Sequence, residues 1–288
     1  MPHEILITGA TGFVGRHLVP ILEQKGYTVR GLSRKDGDLA SMALDFPGVE
    51  HVFHLAGRTF VPESWTTPKP FYELNVIGTL NILEFCKRQR ASITIVSSYV
   101  YGIPERLPIR EDHVVKALNP YGQSKIMAEE LAQFYRCHSG LPLSIVRPFN
   151  LYGSGQDSRF LIPTLIRQFL DPAVVEVQVA DLRPRRDYLH VEDFVQMLVR
   201  ILETGRHGVF NAGFGTSASV EEIARMVRIA SGHTTKPLVS RNEERNHEVM
   251  DVVADITKAR EELHWAPQIS LEQGIGHMVR SSQRELQT

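Results

Sequence analysis

The chain has 288 residues, of which 42% are hydrophobic and 23% are charged. A chain of this size and composition can bury a large core, which excludes an intrinsically disordered protein. Its 32 lysine and arginine residues nearly balance its 33 aspartate and glutamate residues. This balance argues against nucleic acid or an anionic membrane as a partner, because the chain has no overall basic field to attract either.

We expect a cytoplasmic protein, because the amino terminus enters a strand at once and no charged segment precedes a long apolar run. No stretch of 18 consecutive apolar residues, the length of a membrane-spanning helix, is present. Cys86 and Cys137 are the only cysteines, and we expect both to be buried thiols rather than disulfide partners or metal ligands. The 12 histidines show no metal-ligand spacing, so we predict no metal site.

Apolar runs of strand length alternate with segments of helical period through the first half of the chain. The predicted elements, in chain order, are a strand at 5–7, a helix at 13–25, strands at 28–32 and 52–55, a helix at 71–90, a strand at 93–96, a helix at 120–138 and a strand at 143–146. Short continuous apolar strands separated by helices indicate a parallel sheet that is covered on both faces. We therefore predict an α/β fold with a Rossmann-type doubly wound parallel sheet.

After Arg147 and Pro148 the alternation weakens, and glycine, proline, aspartate and arginine become more frequent. Four helices are still predicted, at 161–170, 191–203, 220–231 and 271–280. Loops and short elements of this kind often build a ligand site, so we predict a smaller C-terminal α/β region that binds a substrate. The predicted boundary separates residues 1–152, a Rossmann domain, from residues 153–288, with 186–212 returning to the first domain.

A glycine-rich turn follows the first predicted strand and opens a helix. Its sequence from residue 8 to residue 15 is TGATGFVG, with the spacing G-x-x-G-x-x-G. In such a turn, one glycine allows the tight bend, a second lets the backbone approach a pyrophosphate, and a third lets helix and strand pack closely. The helix amino terminus adds free N–H groups and the positive end of a dipole. We predict that this turn binds a dinucleotide cofactor through Gly9, Thr11, Gly12, Phe13, Val14 and Gly15.

The end of the second predicted strand bears on which nicotinamide cofactor binds. NAD-binding proteins usually carry a carboxylate there, which holds the ribose hydroxyl groups, whereas this chain has Ser33 and Arg34. A guanidinium can hold a 2′-phosphate by forked, charge-assisted hydrogen bonds, and no carboxylate at that position repels it. We therefore favour NADP(H) over NAD(H). The alternative is a solvated loop arginine with ordinary NAD binding.

Tyr121 and Lys125 lie one helical turn apart in the sequence NPYGQSK, at the start of a predicted helix. An adjacent ammonium can stabilise a phenolate and so let a tyrosine transfer protons near neutral pH. Ser97 ends a predicted strand in VSSYVYG, at the edge of the sheet where ligands bind in open α/β folds. Its hydroxyl can hydrogen-bond an oxygen that gains or loses charge. A purely structural role for the three residues is the alternative.

These motifs and several others recur in the order found in extended short-chain dehydrogenases/reductases, which the chain resembles over almost its whole length. The further segments are HLAG at 54–57, RPFNLYG at 147–153, RDYLHVED at 186–193, FNAG at 210–213 and ADITKA at 254–259. The resemblance implies that Ser97, Tyr121 and Lys125 form a catalytic triad and that Lys125 also holds the nicotinamide ribose. It further implies cofactor contacts at Ser33, Arg34, Asp38, Leu39, Leu55, Ala56, Gly57, Tyr121, Lys125 and Pro148.

The same resemblance implies a nucleotide-activated sugar as the substrate. Its diphosphate carries two negative charges, and the forked donors of a guanidinium suit that group. Arg186 and Arg245 occupy positions at which relatives contact the diphosphate, although Arg245 lacks the usual Arg-Pro-Gly-Asp surroundings. An ordinary solvated arginine is the alternative at both positions. The remaining predicted substrate contacts are Val61, Glu63, Ser98, Tyr99 and Asn150.

The residues beside the triad narrow the reaction. Sugar-nucleotide 4,6-dehydratases of the family carry one or two acidic residues between the catalytic hydroxyl and Val-Tyr-Gly, where this chain has Ser98 and Tyr99. Without such a carboxylate, elimination lacks an acid/base, which leaves reduction or epimerisation. The 54–64 loop and the RPFN segment are similar to those of GDP-4-keto-6-deoxymannose reductases. We therefore predict NADPH-dependent 4-keto reduction of an NDP-4-keto-6-deoxyhexose, where NDP is a nucleoside diphosphate.

Two alternatives stay open. One is an NAD-dependent NDP-sugar 4-epimerase, which would use the same triad and retain its nicotinamide between turnovers. The other belongs to a different class, a regulator that binds NAD(P) and does no chemistry. Relatives dimerise through the two long helices beside the active site, so the resemblance also implies a homodimer, formed through 71–90 and 120–138.

Overall fold

The structure is a computed structural model that describes residues 4–233, 235–243 and 249–286. Its elements, in chain order, are β1 (Glu4–Thr8), α1 (Gly15–Gln24), β2 (Thr28–Leu32), β3 (Val49–His54), α2 (Val61–Thr66), α3 (Lys69–Tyr72), a π-helical turn (Glu73–Ile77), α4 (Gly78–Gln89), β4 (Ser92–Val96), α5 (Pro120–Ser139), β5 (Leu143–Pro148), β6 (Asn150–Tyr152), α6 (Leu161–Leu170), β7 (Val177–Val179), β8 (Arg185–His190), α7 (Val191–Thr204), β9 (Val209–Ala212), β10 (Ser217–Ser219), α8 (Val220–Ser231), β11 (Leu238–Ser240), α9 (Thr257–Leu263) and α10 (Leu271–Glu285).

The central sheet contains six parallel strands in the order β2-β1-β3-β4-β5-β9. The chain leaves β1 for β2 on one side and then returns to β3 on the other, so the strand order reverses at β1. In an open α/β sheet, such a reversal opens a crevice beyond the carboxyl ends of the strands, where ligands bind. The loops that follow β1 and β3 border this crevice, and the glycine-rich turn is the first of them.

Alternate residues of β1 supply two separate cores. Ile5 and Ile7 pack with α1 and α7 on one face of the sheet, whereas Leu6 packs with α4 and α5 on the other. All three side chains are fully buried. Because successive side chains of a strand point to opposite faces, a strand that is buried on both sides has a continuous apolar sequence. The predicted doubly wound α/β fold is therefore confirmed.

A smaller region follows β5. Strands β6, β8 and β10 form a three-stranded sheet, and β7 and β11 form a two-stranded sheet. Helices α6, α8 and α10 pack around a third core, in which Tyr152 and Phe169 are buried. After β8, α7 packs against α1, and β9 joins the edge of the central sheet beside β5. The chain thus crosses to the smaller region, returns to the central sheet and crosses again before α8.

The helix predicted at 71–90 is less regular than its apolar pattern indicates. It begins as α3 at Lys69 and passes through the π-helical turn Glu73–Ile77 before it continues as α4. A π-helical turn is a local change of hydrogen-bond register, which the spacing of apolar residues does not reveal. The sequence patterns do not predict α2, α9 or the strands β6 to β11. Most of these strands contain only three or four residues.

The two cysteines differ in their surroundings. Cys86 is fully buried in α4, as expected, but Cys137 near the end of α5 is exposed, so the prediction of a second buried thiol is wrong. A helix on the surface of a sheet buries one side only. Cys137 falls on the outward side of α5 together with Phe134, which is 56% exposed.

Candidate active site

The glycine-rich turn connects β1 to α1 and lies against the loop that follows β3. Gly9 has a φ of +72°, and a Cβ at this position would lie 2.9 Å from the backbone nitrogen of Ala56. A Cβ on Gly15 would lie 2.4 Å from the carbonyl oxygen of Gly9. The turn therefore exposes its backbone at Gly12, next to the amino terminus of α1. This arrangement fits a pyrophosphate. The other predicted contacts in the turn are exposed or half-buried: Thr11, Phe13 and Val14.

A buried imidazole joins the ends of β1 and β3 to α4 beside this turn. Hydrogen bonds connect the ring of His54 to the hydroxyl groups of Thr8 (2.7 Å) and Thr79 (3.0 Å). Thr8 also accepts a hydrogen bond from the N–H of Ala56 at 3.2 Å. Burial lowers the pKa of His54 to about 3, and the nearby Lys125 ammonium acts in the same sense. The ring is therefore neutral near pH 7 and can donate one hydrogen bond while it accepts the other.

The loop after β3 meets α5 at Gly57. A Cβ on Gly57 would lie 3.0 Å from Oδ1 of Asn75 and 3.2 Å from Nζ of Lys125. The ammonium donates a hydrogen bond to the carbonyl oxygen of Val96, at the end of β4, at 3.0 Å. Lys125 is only 7% exposed, so its ammonium is buried between Gly57, which follows β3, and Val96, which ends β4. Two further predicted cofactor contacts are half-buried just before Gly57: Leu55 and Ala56.

Tyr121 lies in the first turn of α5, where Asn119 caps the helix by accepting a hydrogen bond from the N–H of Gly122 at 2.8 Å. Burial raises the pKa of the Tyr121 phenol, and a hydrogen bond with the side chain of Ser98 acts in the opposite sense. Burial lowers the pKa of Lys125 to about 8, with a nearby carboxylate opposing that shift. A phenol, a hydroxyl and an ammonium thus gather beyond the carboxyl end of β4.

The assignment of Ser97 as the triad hydroxyl stays a prediction, and its neighbour Ser98 is a second candidate. Ser97 still takes part in the strand ladder, because its N–H donates to the carbonyl oxygen of Val146 at 2.8 Å. Its side chain is buried, and its Oγ has no hydrogen-bond partner among the described residues. Successive residues of an extended segment point in opposite directions. Ser98 lies close enough to Tyr121 to affect the pKa of its phenol, so two serines are candidates for the hydroxyl of the site.

Asn75 belongs to the site but is not singled out by any of the sequence motifs. It is buried in the π-helical turn, where its Oδ1 accepts from the N–H of Arg58 (2.9 Å) and its Nδ2 donates to the carbonyl oxygen of the same residue (3.1 Å). Nδ2 also donates to the hydroxyl of Ser124 at 2.9 Å. Asn75 therefore fixes the loop after β3 against α5. The available sequence signal is an asparagine inside a helical pattern, since this residue favours helix ends.

The turn after β2 contains a carboxylate close to the strand end. Oδ2 of Asp36 accepts hydrogen bonds from the N–H and from the hydroxyl of Ser33, each at 2.8 Å. Arg34 is exposed beside them. Asp38 caps the following turn, and Leu39 is buried in the core between the sheet and α4. The strand end itself carries no carboxylate, as expected, but a carboxylate three positions further along folds back to Ser33.

Three of the predicted substrate contacts gather beyond the ends of β4 and β5. Burial raises the pKa of the Tyr99 phenol, and the nearby guanidinium of Arg186 acts in the opposite sense. Arg186 also donates to the carbonyl oxygen of Val249 at 2.6 Å. Asn150 is half-buried at the start of β6 and donates to the carbonyl oxygen of Asp187 at 3.4 Å. The guanidinium of Arg186 therefore lies near the phenol of Tyr99, and the amide of Asn150 is bonded to β8.

Two other predicted substrate contacts, Val61 and Glu63, lie on α2, and a chain of side-chain contacts connects Glu63 to Tyr121. Glu63 forms an ion pair with Arg58 at 2.7 Å, and both side chains are partly exposed. The Arg58 guanidinium lies 6.0 Å from the ring centroid of Phe71. Phe71 in turn packs edge-on against Tyr121, with 6.3 Å between the ring centroids. Val61 is half-buried at the start of α2.

The segment 153–160 contacts both α1 and the loop after β3. A hydrogen bond of 3.0 Å joins a ring nitrogen of His17 to the carbonyl oxygen of Ser154. At the other end of the segment, the guanidinium of Arg159 lies 4.1 Å from the ring centroid of Phe60. The segment therefore connects the two sides of the crevice that begins at the glycine-rich turn.

A buried ion pair anchors α5 one turn beyond Lys125. Arg147 on β5 donates to both carboxylate oxygens of Glu129 at 2.6 to 3.1 Å, and the two side chains are 8% and 7% exposed. Arg147 also donates to the phenol of Tyr101 at 3.0 Å, and this phenol donates to Oδ1 of Asn211 at 2.5 Å. The network ties α5 to β5 and β9.

The last two predicted contacts are Pro148 and Arg245. Pro148 is buried at the carboxyl end of β5, opposite Ala212 of β9, whereas Arg245 lies outside the described residues. In residues 4–233, 235–243 and 249–286, no group of three or more histidine, cysteine, aspartate or glutamate side chains could hold a metal ion. Within the same part of the chain, no helix combines the length and the apolar character needed to cross a membrane.

Comparison with known proteins agrees with this geometry. Residues 5–213 match the model of the NAD dependent epimerase/dehydratase family. A putative UDP-glucose 4-epimerase of Methanocaldococcus jannaschii is 30% identical over 96% of this chain and 97% of its own length. A GDP-6-deoxy-D-mannose reductase of Pseudomonas aeruginosa is 29% identical over 96% and 95%. The solved structure of RMD from Pseudomonas aeruginosa complexed with NADPH has a TM-score of 0.89 and 27% identity, covering 98% of this chain and 99% of that one. The chain therefore belongs to the NAD dependent epimerase/dehydratase family of enzymes.

Proposed function

We propose that the chain is an NADPH-dependent reductase that acts on the 4-keto group of an NDP-4-keto-6-deoxyhexose. The observation that carries this proposal is the position of Tyr121 and Lys125, both buried one turn apart on α5, with the Lys125 ammonium bonded to the carbonyl oxygen of Val96 at the carboxyl end of β4 and Ser98 close to the Tyr121 phenol. A phenol and a hydroxyl that converge in this way can bind and protonate a carbonyl oxygen. Family membership adds a nicotinamide, which supplies the hydride when bound.

Tyr121 is the proposed proton donor. Because burial raises the pKa of its phenol, the group is protonated near neutral pH and can give its proton to the oxygen on carbon 4 of the sugar. Ser98 donates a hydrogen bond to the same oxygen as negative charge develops on it. Lys125 holds the nicotinamide ribose, and its positive charge stabilises the phenolate that Tyr121 becomes.

The residues that follow Ser98 favour reduction over dehydration. Elimination requires an acid/base for carbons 5 and 6 of the sugar, but the sequence from Tyr99 to Gly102 contains no carboxylate. Burial raises the pKa of the Tyr99 phenol, so it is not a base near neutral pH. Its hydroxyl donates to the carbonyl oxygen of Gly102, which holds the ring in place as a wall of the sugar site.

Arg186 is the proposed contact for the diphosphate of the substrate, together with Arg245. The Arg186 guanidinium lies near Tyr99, so its positive charge is beside the side chains that would surround the sugar. Forked N–H donors hold phosphate oxygens better than a single ammonium does. The UDP- and GDP-sugar names of the relatives support a nucleoside diphosphate sugar as the class of substrate.

NADP(H) is the proposed cofactor. Arg34 and Lys35 are exposed at the end of β2, and two cations there favour a cofactor with an additional phosphate on the adenosine ribose. The related RMD structure is complexed with NADPH.

An NDP-sugar 4-epimerase is the second candidate. The Methanocaldococcus jannaschii relative is named for that reaction and is about as similar as the reductase of Pseudomonas aeruginosa. An epimerase would use Tyr121, Ser98 and Lys125 in the same way but return the hydride to the opposite face of the sugar. It would therefore consume no cofactor, which distinguishes it from a reductase.

The test is to supply the purified chain with NDP-4-keto-6-deoxyhexoses and plain NDP-hexoses, each with NADPH and with NADH. A reductase should oxidise one reduced nicotinamide for each sugar converted, measured by absorbance. Conversion of a plain NDP-hexose with no net change in the nicotinamide would instead establish the epimerase.

Tyr121→Phe should lower kcat by about 10²–10⁴-fold, because it removes the proton donor. Its cofactor affinity should stay within about twofold, since only the hydroxyl is lost. Tyr27→Phe, which makes the same change in a tyrosine packed against α1 and α7, is the control and should keep wild-type turnover. Wild-type turnover in Tyr121→Phe would overturn the assigned role.

A further inference from the structure

The end of β2 lies unusually close to the glycine-rich turn. The N–H of Ala10 donates to the carbonyl oxygen of Leu32 at 3.0 Å, and a Cβ on Gly31 would lie 2.8 Å from the Cβ of Ala10. A glycine at position 31 therefore lets strand and turn approach each other. Ser33 follows directly, so its N–H and hydroxyl lie at the edge of the crevice where the adenosine ribose of a dinucleotide is held.

Asp36 already occupies both donors that Ser33 presents. Its Oδ2 accepts from the N–H and from the hydroxyl, at 2.8 Å in each case. The backbone and side-chain hydrogen bonds from Ser33 lower the pKa of Asp36, so the carboxylate is charged at neutral pH. Arg34 and Lys35 lie between these two residues in the sequence and are exposed. One four-residue turn thus combines two cations with a fixed anion.

We infer that Asp36 sets the discrimination between NADP(H) and NAD(H), an inference that rests on the proposed nicotinamide chemistry. A 2′-phosphate needs the Ser33 donors and the two cations, but it must displace the carboxylate from Ser33 and is repelled by its charge. A ribose 2′-hydroxyl can instead donate a hydrogen bond to the same carboxylate. Asp36 therefore weakens NADP(H) and assists NAD(H), while Arg34 acts in the opposite direction.

Asp38 does not discriminate between the two cofactors in this way, although it lies only two residues after Asp36. Its Oδ1 accepts from the N–H of Ala40 at 3.0 Å, and its carbonyl oxygen accepts from the N–H of Met42 at 2.7 Å. Asp38 is therefore committed to the turn that leads away from β2. Among the side chains of this loop, the carboxylate that faces Ser33 is that of Asp36.

The experiment measures binding of two adenosine fragments, adenosine 2′,5′-bisphosphate and adenosine 5′-monophosphate, and of NADPH and NADH, by calorimetric titration of the full chain. Wild type is compared with Asp36→Asn, which keeps the shape of the side chain but removes its charge, and with Arg34→Gln. Asp45→Asn is the matched control, because Asp45 is an exposed carboxylate of the same loop.

Asp36→Asn should improve the affinity for the bisphosphate relative to the monophosphate by about tenfold or more, the range expected when a like charge beside an anion is removed. NADPH relative to NADH should shift in the same direction. Arg34→Gln should move both ratios the opposite way, and Asp45→Asn should move neither.

An unchanged ratio in Asp36→Asn would overturn the inference. An equal shift in Asp45→Asn would also overturn it, because the effect would then be one of overall charge. A wild-type chain that binds neither fragment would do the same. Failure of the proposed function looks different: no nucleotide sugar is turned over, yet the ratio of the fragment affinities still responds to Asp36.

Discussion

Ser97 and Ser98 are adjacent but differ in their surroundings. Ser98 affects the pKa of the Tyr121 phenol, whereas the hydroxyl of Ser97 is buried without a partner in the described structure. Ser98→Ala should lower kcat by about 10²-fold or more, because it removes a hydrogen bond to the reacting oxygen. A loss confined to Ser97→Ala would instead assign the hydroxyl to Ser97, because a buried hydroxyl without a protein partner is free to bind the reacting oxygen. Steady-state kinetics of the two variants checks this, and equal losses in both would contradict it.

Lys125 should impose an alkaline limit on activity. Burial lowers its pKa to about 8, so the ammonium is present below that pH and is lost as the pH rises through it. Because the proposed reaction needs the charged form, kcat/KM should fall about tenfold per pH unit above about pH 8. Burial raises the pKa of Tyr121, so the phenol does not set this limit.

The measurement for Lys125 is a pH profile of kcat/KM. Lys125→Arg provides the control, because a guanidinium does not titrate in this range, and any activity that it retains should not show the limit. The wild-type kcat/KM should not stay constant up to about pH 10, where a lysine of ordinary pKa titrates. A constant value over that range would contradict the assignment.

At the scale of single residues, the sequence predicts what local spacing determines. Tyr121 and Lys125 lie one turn apart on α5 because helical periodicity places them there. The choice between Ser97 and Ser98 depends on where the strand ladder ends, which no spacing rule gives. The position of Asp36 depends on a turn that brings its side chain back to Ser33. Both outcomes are set by backbone direction rather than by residue type.

At the scale of elements, the ion pair between α5 and β5 should be essential for stability. Glu129 and Arg147 are both buried, and removing one partner leaves the other charge uncompensated in the interior. Glu129→Gln should therefore lower the free energy of unfolding by about 3–5 kcal/mol. Urea denaturation at neutral pH measures this loss.

Glu130→Gln is the control for that measurement, because its carboxylate is exposed on the adjacent position of α5. A surface change of this kind should alter the stability by no more than about 0.5 kcal/mol. A similar stability for both variants would show that the buried pair does not anchor the helix.

The long elements follow from the sequence, and the short ones do not. β1 and α1 have continuous or periodic apolar patterns because tertiary packing buries them on defined faces. Strands of three residues such as β7 and β10 have too few positions to show a pattern and are held by their neighbours. The π-helical turn inside the 69–89 helix escapes prediction for the same reason. Its register depends on the contacts of Asn75 with other segments of the chain.

At the scale of the whole molecule, the helices that the family resemblance assigns to a dimer interface present an apolar groove. It is lined by Pro68, Tyr72, Val76, Ile77 and Met127, among others. Ile77 is 45% exposed and adjoins the other apolar residues of the groove, and an exposed apolar patch of this kind marks a candidate protein interface. We expect a homodimer, with a mass twice the 32.5 kDa of the chain, in light scattering after size-exclusion chromatography.

Ile77→Glu should convert that dimer into monomers, because a carboxylate would be buried at the interface without a partner. Ile229→Glu, at a position 68% exposed on α8 of the smaller region, should remain dimeric. A monomeric wild type, or a dimeric Ile77→Glu, would contradict the expected interface.

The family could be predicted from the sequence, but the individual reaction could not. The motifs occur along almost the whole chain, and the match over residues 5–213 confirms the family to which they point. The epimerase and reductase relatives are 30% and 29% identical to the chain. Their reactions share a phenol, an ammonium and a nicotinamide, and they differ in whether the cofactor is spent. An epimerase keeps its nicotinamide between turnovers, whereas a reductase releases it after each one. Sequence motifs do not reveal the rate of that release.

The bridge formed by segment 153–160 bears on those rates. His17 holds one end of it through Ser154, and Phe60 holds the other through Arg159. A dinucleotide that is released after every turnover can leave only after this bridge opens. One that stays bound between turnovers does not require the opening. The residence time of spent cofactor in a reductase would thus depend on the hydrogen bond of His17 with Ser154 and on the contacts of Phe60 with Arg159 and Phe160.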